Sequence, residues 1–147
     1  MENLLEDKIY DQIKNRLTLL NIDSKPQWGK MTVAQTLHHC QKPLEIALGK
    51  KDYGLKSNLV AKWFFKKMMY NDKSWPRGMT TPKTFKVEQE KGFSEEKNAI
   101  LKLLKEFHNK KSREKWPKHP VFGQFTPEQV GKMQYKHLDH HFRQFGV

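Results

Sequence analysis

The 147-residue chain is the length of one domain and enough to bury a substantial core, and its single cysteine excludes an internal disulfide framework. Lys and Arg outnumber Asp and Glu by 28 to 16, a net charge of +12. No apolar run is long enough to span a bilayer, and Met1-Glu2-Asn3 does not begin a secretory signal, so the expectation is a cytoplasmic protein without stable membrane insertion.

Apolar periodicity reads as helix throughout, with no convincing alternating strand. Leu5, Ile9, Ile13, Leu17 and Leu20 predict a first helix from about Leu4 to Leu20. After a loop containing Pro26, Trp28 and Gly29, the capping-box pattern Thr32-Val33-Ala34-Gln35 opens a second helix that ends at Gly49, a natural C-cap. Pro43 inside it has no N–H for the carbonyl of His39, which predicts a loosened turn there. That carbonyl either serves a ligand or marks a tolerated kink.

Residues 50–93 read as a long crossover. Its first part, residues 55–70, mixes lysines with Leu59, Val60, Trp63, Phe64, Phe65, Met68 and Met69. This predicts an extra helix that caps the bundle or makes a dimer contact, with a helix lying on anionic lipid as the alternative. The rest, through Trp75-Pro76-Arg77-Gly78 and Thr81-Pro82, is an irregular link long enough to cover the open end of a site. A third long helix is expected from Ser94 to Asn109, with Ile100, Leu103, Leu104 and Phe107 as its stripe and Glu95 and Glu96 at its positive end. The last helix opens with Thr126-Pro127-Glu128-Gln129, a capping threonine followed by proline in the first turn. The fold class expected is therefore all-α: a four-helix bundle with a long crossover, carrying an extra short helix, between the second and third long helices.

Histidines fall at chosen places in this pattern. His137 and His141 are four apart, hence one turn apart on the same face, a spacing that lets two imidazoles bind one ion. On the helical projection they lie in the middle of the apolar stripe of Val130, Met133, Leu138 and Phe145, with His140 on its edge and Asp139 opposite. In the second helix Leu37, Cys40, Leu44, Ala47 and Leu48 form the apolar face. His39 lies on its extension between Thr36 and Ile46, while His38 falls on the far side with Glu45. Buried imidazoles need polar partners. Either the three inward residues, His39, His137 and His141, hold a metal ion, or they are core histidines bonded to backbone or to each other. Cys40, beside His39 on the apolar face, reads as a small core residue, with a ligand or reactive thiol as the alternative.

The pattern Val33-Ala34-Gln35-Thr36-Leu37-His38-His39, followed by a terminal helix with His137-x-x-x-His141-x-x-Gln144, resembles the DinB/YfiT-like superfamily of metal-binding four-helix bundles. The segment His119-Pro120-Val121-Phe122-Gly123 before the last helix resembles an uncharacterised branch of it. The resemblance implies a three-histidine site for a divalent metal, with the second-helix ligand at His39 and the other two at His137 and His141, and Gln144 matching the glutamine after the last ligand. It implies small-molecule chemistry with a low-molecular-weight thiol, as in a transferase or an isomerase; a metal-bound hydroxide in place of the thiol would make the near neighbour, a hydrolase. This chain departs from the commoner His-Arg-Gly-Gln ending, having His141-Phe142-Arg143-Gln144, so the pocket beside His141 differs. The doubled His38-His39 and His140-His141, and His119, leave the ligand choice open to those neighbours. Imidazole ligands suit zinc, nickel, iron or manganese alike.

The charge supports a rival reading: a non-enzymatic basic helical module that binds nucleic acid or a protein partner, with the histidines as packing residues. The stretch Lys105 to Lys118 is strongly basic and contains Trp116, and phosphate neutralisation with base stacking would use both. Against this, lysines are spread over every element, outnumber arginines heavily, and accompany no recognised nucleic-acid motif. A solvated lysine-rich surface accounts for them, and its field would steer anionic small molecules toward a pocket.

Overall fold

A computed structural model describes residues 1–79 and 81–147. The described residues form five α-helices: α1 (Asp7–Leu19), α2 (Val33–Leu48), the short α3 (Leu59–Phe65), α4 (Phe93–Asn109) and α5 (Pro127–Gln144). Two 3₁₀ turns, Lys67–Met69 and Lys83–Phe85, lie in the crossover between α2 and α4. No strand occurs among the described residues, and a lone bridge pairs His119 with Gly123. The architecture is an all-helical bundle.

The caps fall where the sequence places them. Thr32 and Thr126 each accept from the backbone N–H three residues on, and Gln35 and Gln129 reach back to complete both capping boxes. Gly49 closes α2 in the left-handed region at φ 76°, and α2 runs on through Pro43 to reach it. α2 packs on α4 and α5, and α1 packs on the same two helices. Ile13, Leu17, Leu37, Cys40, Leu44, Ile100, Leu104, Phe107, Leu138 and Phe142 fill the space between them. Trp116 is also in this core, its ring 4.8 Å from that of Phe107. An indole so buried is not a platform for bases.

Two expectations about the elements need correction. The first helix starts at Asp7 rather than Leu4, although Leu4 and Leu5 are buried. Residues 3–5 spend their backbone groups differently: Asn3 Oδ1 accepts from the Leu5 N–H, and the Leu4 N–H donates to the Gly131 carbonyl on α5. The approach is close enough that a Cβ on Gly131 would stand 1.7 Å from Asn3 Oδ1. Second, α3 has only seven residues and does not cap the bundle. Leu59, Val60, Trp63 and Phe64 are 62–84% exposed, and it is Met69 and Tyr70, beyond the helix, that pack on the core. No helix among the described residues is long and apolar enough to cross a membrane.

The crossover is nonetheless tied down. Lys136 on α5 is buried and its ammonium donates to the Met68 carbonyl (2.6 Å) and to the carbonyl and side-chain oxygens of Asn71 (3.1 and 2.7 Å). Three oxygen acceptors offset the desolvation of that charge. The lysine therefore straps residues 68–71 onto the helix that carries the paired histidines.

Candidate metal centre

α2 and α5 bring three imidazoles together at the interface they share. His39, His137 and His141 are all buried, and one nitrogen from each lies within 4.8 Å of the others. His39 comes from the extended apolar face of α2, and the two α5 histidines come from successive turns of its inward stripe. Ring centroids stand 4.7–5.0 Å apart in all three pairings.

Hydrogen bonds fix which nitrogen each ring can offer. His39 Nδ1 lies 2.9 Å from the Phe85 carbonyl, which only accepts, so Nδ1 carries the proton and Nε2 keeps its lone pair. Gln144 Nε2 donates to the Trp28 carbonyl at 2.6 Å, which turns its Oε1 toward His141 Nδ1 at 3.0 Å. That oxygen accepts, so His141 Nδ1 is also the protonated atom and its Nε2 is free. Partners of this kind hold metal-bound imidazoles in one tautomer and orientation. Gln144 is itself held by a turn built around it. Gly29 has φ +85°, and a Cβ there would lie 2.4 Å from Gln144 Nε2.

His137 is different. Its Nε2 lies 3.0 Å from His39 Nε2, and its Nδ1 is buried with no hydrogen-bond partner. Two facing imidazole lone pairs at that distance repel unless a proton or a cation lies between them. Either way His137 Nδ1 stays buried without a partner, as an acceptor when a proton lies there and as an N–H donor when a cation does. With a cation, both Nε2 atoms become ligands, and nitrogens about 2.1 Å from one ion in neighbouring positions are themselves about 3 Å apart. The donor set thus fits a divalent ion.

Burial acts in the same direction on all three rings. It pushes His39 below the ordinary imidazole range against the raising effect of the Phe85 hydrogen bond. Burial, then the neighbouring His141 and His39, holds His137 well below that range, and His141 is pushed to about 3 chiefly by burial. Neutral imidazole is the ligating form, so a water-poor site keeps the ligands ready.

Aromatic side chains close the surroundings. Phe85 meets His39 edge-on at 5.8 Å, and Trp75 meets His137 at 5.7 Å and His140 at 5.9 Å. Both come from the crossover, which thereby lies against the histidines as its length suggested. The remaining candidates are engaged elsewhere. His38 Nδ1 faces Glu96 Oε2 at 3.0 Å, and His140 sits partly buried between Trp28, Trp75 and His141. His119 Nδ1 accepts from the N–H groups of Val121 and Phe122, closing its own turn. Cys40 is fully buried, and burial pushes its thiol far above the ordinary range, so it stays protonated. Asp139 on the opposite side of α5 is claimed by Arg16 of α1 at 2.9 Å.

Three contributors were not singled out by sequence reasoning. Phe85 acts through its backbone carbonyl, Trp28 likewise, and Trp75 through its ring face. Backbone acceptors leave no mark in a side-chain pattern. Gln144 was legible only through the resemblance.

Residues 3–146 match the family model described as "Protein of unknown function (DUF1569)". The chain belongs to the DUF1569 family. No curated protein and no solved structure matches it. What can be said of this DUF1569 protein's chemistry therefore rests on its three buried histidines.

Proposed function

We propose that this protein is a metal-dependent enzyme of the DinB-like type, in which His39, His137 and His141 hold a divalent ion and leave coordination positions for a small molecule. The observation that carries this reading is the pair of oriented lone pairs. His39 and His141 both commit Nδ1–H to a fixed acceptor, which leaves Nε2 of each with its lone pair, in a cluster where His39 Nε2 faces His137 Nε2 and one nitrogen of each ring lies within 4.8 Å of the others. A core packed for stability alone would more simply place apolar side chains here than three imidazoles, one of them unsatisfied.

When bound, such an ion supplies Lewis acidity that lowers the pKa of a thiol or water, giving a nucleophile at neutral pH. The chain's own residues do the rest. Phe85 and Gln144 fix ring orientation, Trp75 and Phe85 exclude water, and the Lys136 strap holds the crossover over α5. The chemistry that fits is transfer of a low-molecular-weight thiol to an electrophilic small molecule, or its near neighbour, hydrolysis. Zinc, nickel, iron and manganese all suit three imidazoles.

Metal analysis of protein purified without added ions tests this. The expected result is close to one ion per chain, lost in the His137→Ala/His141→Ala variant while the helical circular dichroism persists. A metal-free wild type whose histidine variants merely lose stability would overturn it.

A further inference from the structure

A second feature lies on the outer side of the turn that orients His39. A cleft of about 570 Å³ opens between α2 and residues 83–91, lined by His38, Lys42, Lys83, Lys86 and Lys91, with Glu88 as its one carboxylate. Four lysines thus line it against one acid. His38 adds no free negative partner, because Glu96 is already shared by His38 Nδ1 and by Gln41 Nε2 at 2.6 Å.

Lys42 makes this more than a crowd of surface lysines. Its side chain is built into α2, one turn beyond His39, and the residue is only 7% exposed. Its ammonium donates to the Thr84 carbonyl at 2.8 Å and lies over the rings of Tyr53 (5.5 Å) and Phe85 (5.9 Å). No carboxylate lies within ion-pair distance of it among the described residues; Glu45, which pairs with Lys51 and hydrogen-bonds Tyr53, acts on it only from farther off. An ammonium has three protons to donate, and a buried one is costly without an anionic partner. Burial, and after it the charge of Lys91, already hold Lys42 below the ordinary lysine range.

We infer that this cleft binds the doubly charged oxyanion group of a small molecule, a phosphate ester or a dicarboxylate, with Lys42 as its buried anchor and Lys83, Lys86 and Lys91 as its outer contacts. Such a group supplies the missing partner for Lys42 and relieves the repulsion among the four ammonium groups. The cleft is mechanically joined to the histidines. Lys42 binds the Thr84 carbonyl and His39 binds the Phe85 carbonyl, adjacent peptide groups of one 3₁₀ turn. That the anion belongs to the substrate rests on the metal-centre reading; that the cleft binds it does not.

Titration calorimetry of the full chain at low ionic strength, with inorganic phosphate and with succinate as probes, tests the inference alongside metal analysis of the same samples. Saturable binding of at least one probe is expected, weakened roughly tenfold or more in Lys83→Glu/Lys86→Glu with metal content unchanged. Lys102→Glu/Lys105→Glu makes the same change in net charge on the exposed face of α4 and should leave the affinity within about twofold, as a remote screened charge does. No saturable binding, or equal weakening in both variants, would overturn the cleft while leaving the metal reading to its own measurement. Metal-free protein that still binds a probe through these lysines would overturn the metal reading and leave the cleft standing.

Discussion

The histidine end of the bundle and the helix α3 each invert the usual rule of folding, in opposite directions. Between α2 and α5 three polar rings are buried, and a fourth buried polar side chain, Gln134, joins the helices by donating to the Pro43 carbonyl. In α3 Leu59, Val60, Trp63 and Phe64 face solvent. The first region departs from apolar packing yet is locked by named hydrogen bonds and by the core around it. The second has the residues of a core and none of its contacts. Composition therefore does not tell where this protein is rigid; partners do. The contrast predicts that substitutions at the bundle end are felt in folding and in metal retention, and that those in α3 are felt in neither.

The largest effect should come from the core of the bundle. Phe107 and Phe142 are fully buried, and Phe107 also supports Trp116. Truncating either to alanine removes its transfer energy and leaves a cavity, at a cost of roughly 3–5 kcal/mol. Urea unfolding checks this, and a loss below about 1 kcal/mol would mean that the ring is not in a close-packed core.

Next is the support of His141. Gln144→Ala removes the acceptor of His141 Nδ1–H and frees the Trp28 carbonyl. Loss of such an orienting partner typically lowers metal affinity about 10–100-fold. A competition titration with a chelator reads it directly. Gly29→Ala should weaken affinity in the same direction, because its Cβ would displace the Gln144 amide at a backbone φ of +85°. An unchanged affinity in both variants would separate Gln144 from the centre.

These supports also show what the sequence could and could not disclose. Helical periodicity selected His39, His137 and His141 as inward and set His38 and Asp139 aside, because facing depends only on residue spacing. Caps at Thr32, Gly49 and Thr126 were legible for the same reason, their chemistry being local. The start of α1 was not, since Leu4 and Leu5 are as apolar as a helix stripe but are placed by Gly131, more than a hundred residues away. Nor were the Phe85 and Trp28 carbonyls, which every residue possesses. The exposed faces of α3 were missed because an apolar run states that burial is favourable, not that a neighbour exists.

A smaller effect should separate His119 from the three clustered histidines. Burial first, and then the charge of Lys66, pushes His119 down to about 4, and its Nδ1 lone pair serves the turn at Val121 and Phe122. A histidine depressed in the folded state contributes stability that is complete above its unfolded value of about 6.5. That stability is lost as pH falls through the folded value. The contribution is on the order of 1–2 kcal/mol after allowing for partial exposure. His119→Asn should therefore flatten part of the rise in unfolding free energy between about pH 4 and 6.5, measured by urea unfolding, and leave metal content intact. An unchanged slope would show that this turn does not need the neutral imidazole.

The smallest effect is the sharpest test of the contrast. Trp63 is 84% and Phe64 75% exposed. Had α3 capped the bundle, Trp63→Ser/Phe64→Ser would cost several kcal/mol, as loss of two packed aromatic rings does. With both rings in water the expected change is within about 0.5 kcal/mol, the range of ordinary surface substitutions. Exposed aromatic area of this kind favours association, so the variant should also be the more soluble one. Urea unfolding at low protein concentration reads the first quantity and light scattering at high concentration the second. A large loss of stability in dilute solution would place α3 against the bundle and erase the difference between the two regions. A small loss with reduced scattering would fix α3 as an element whose apolar side chains do nothing for the fold that carries them.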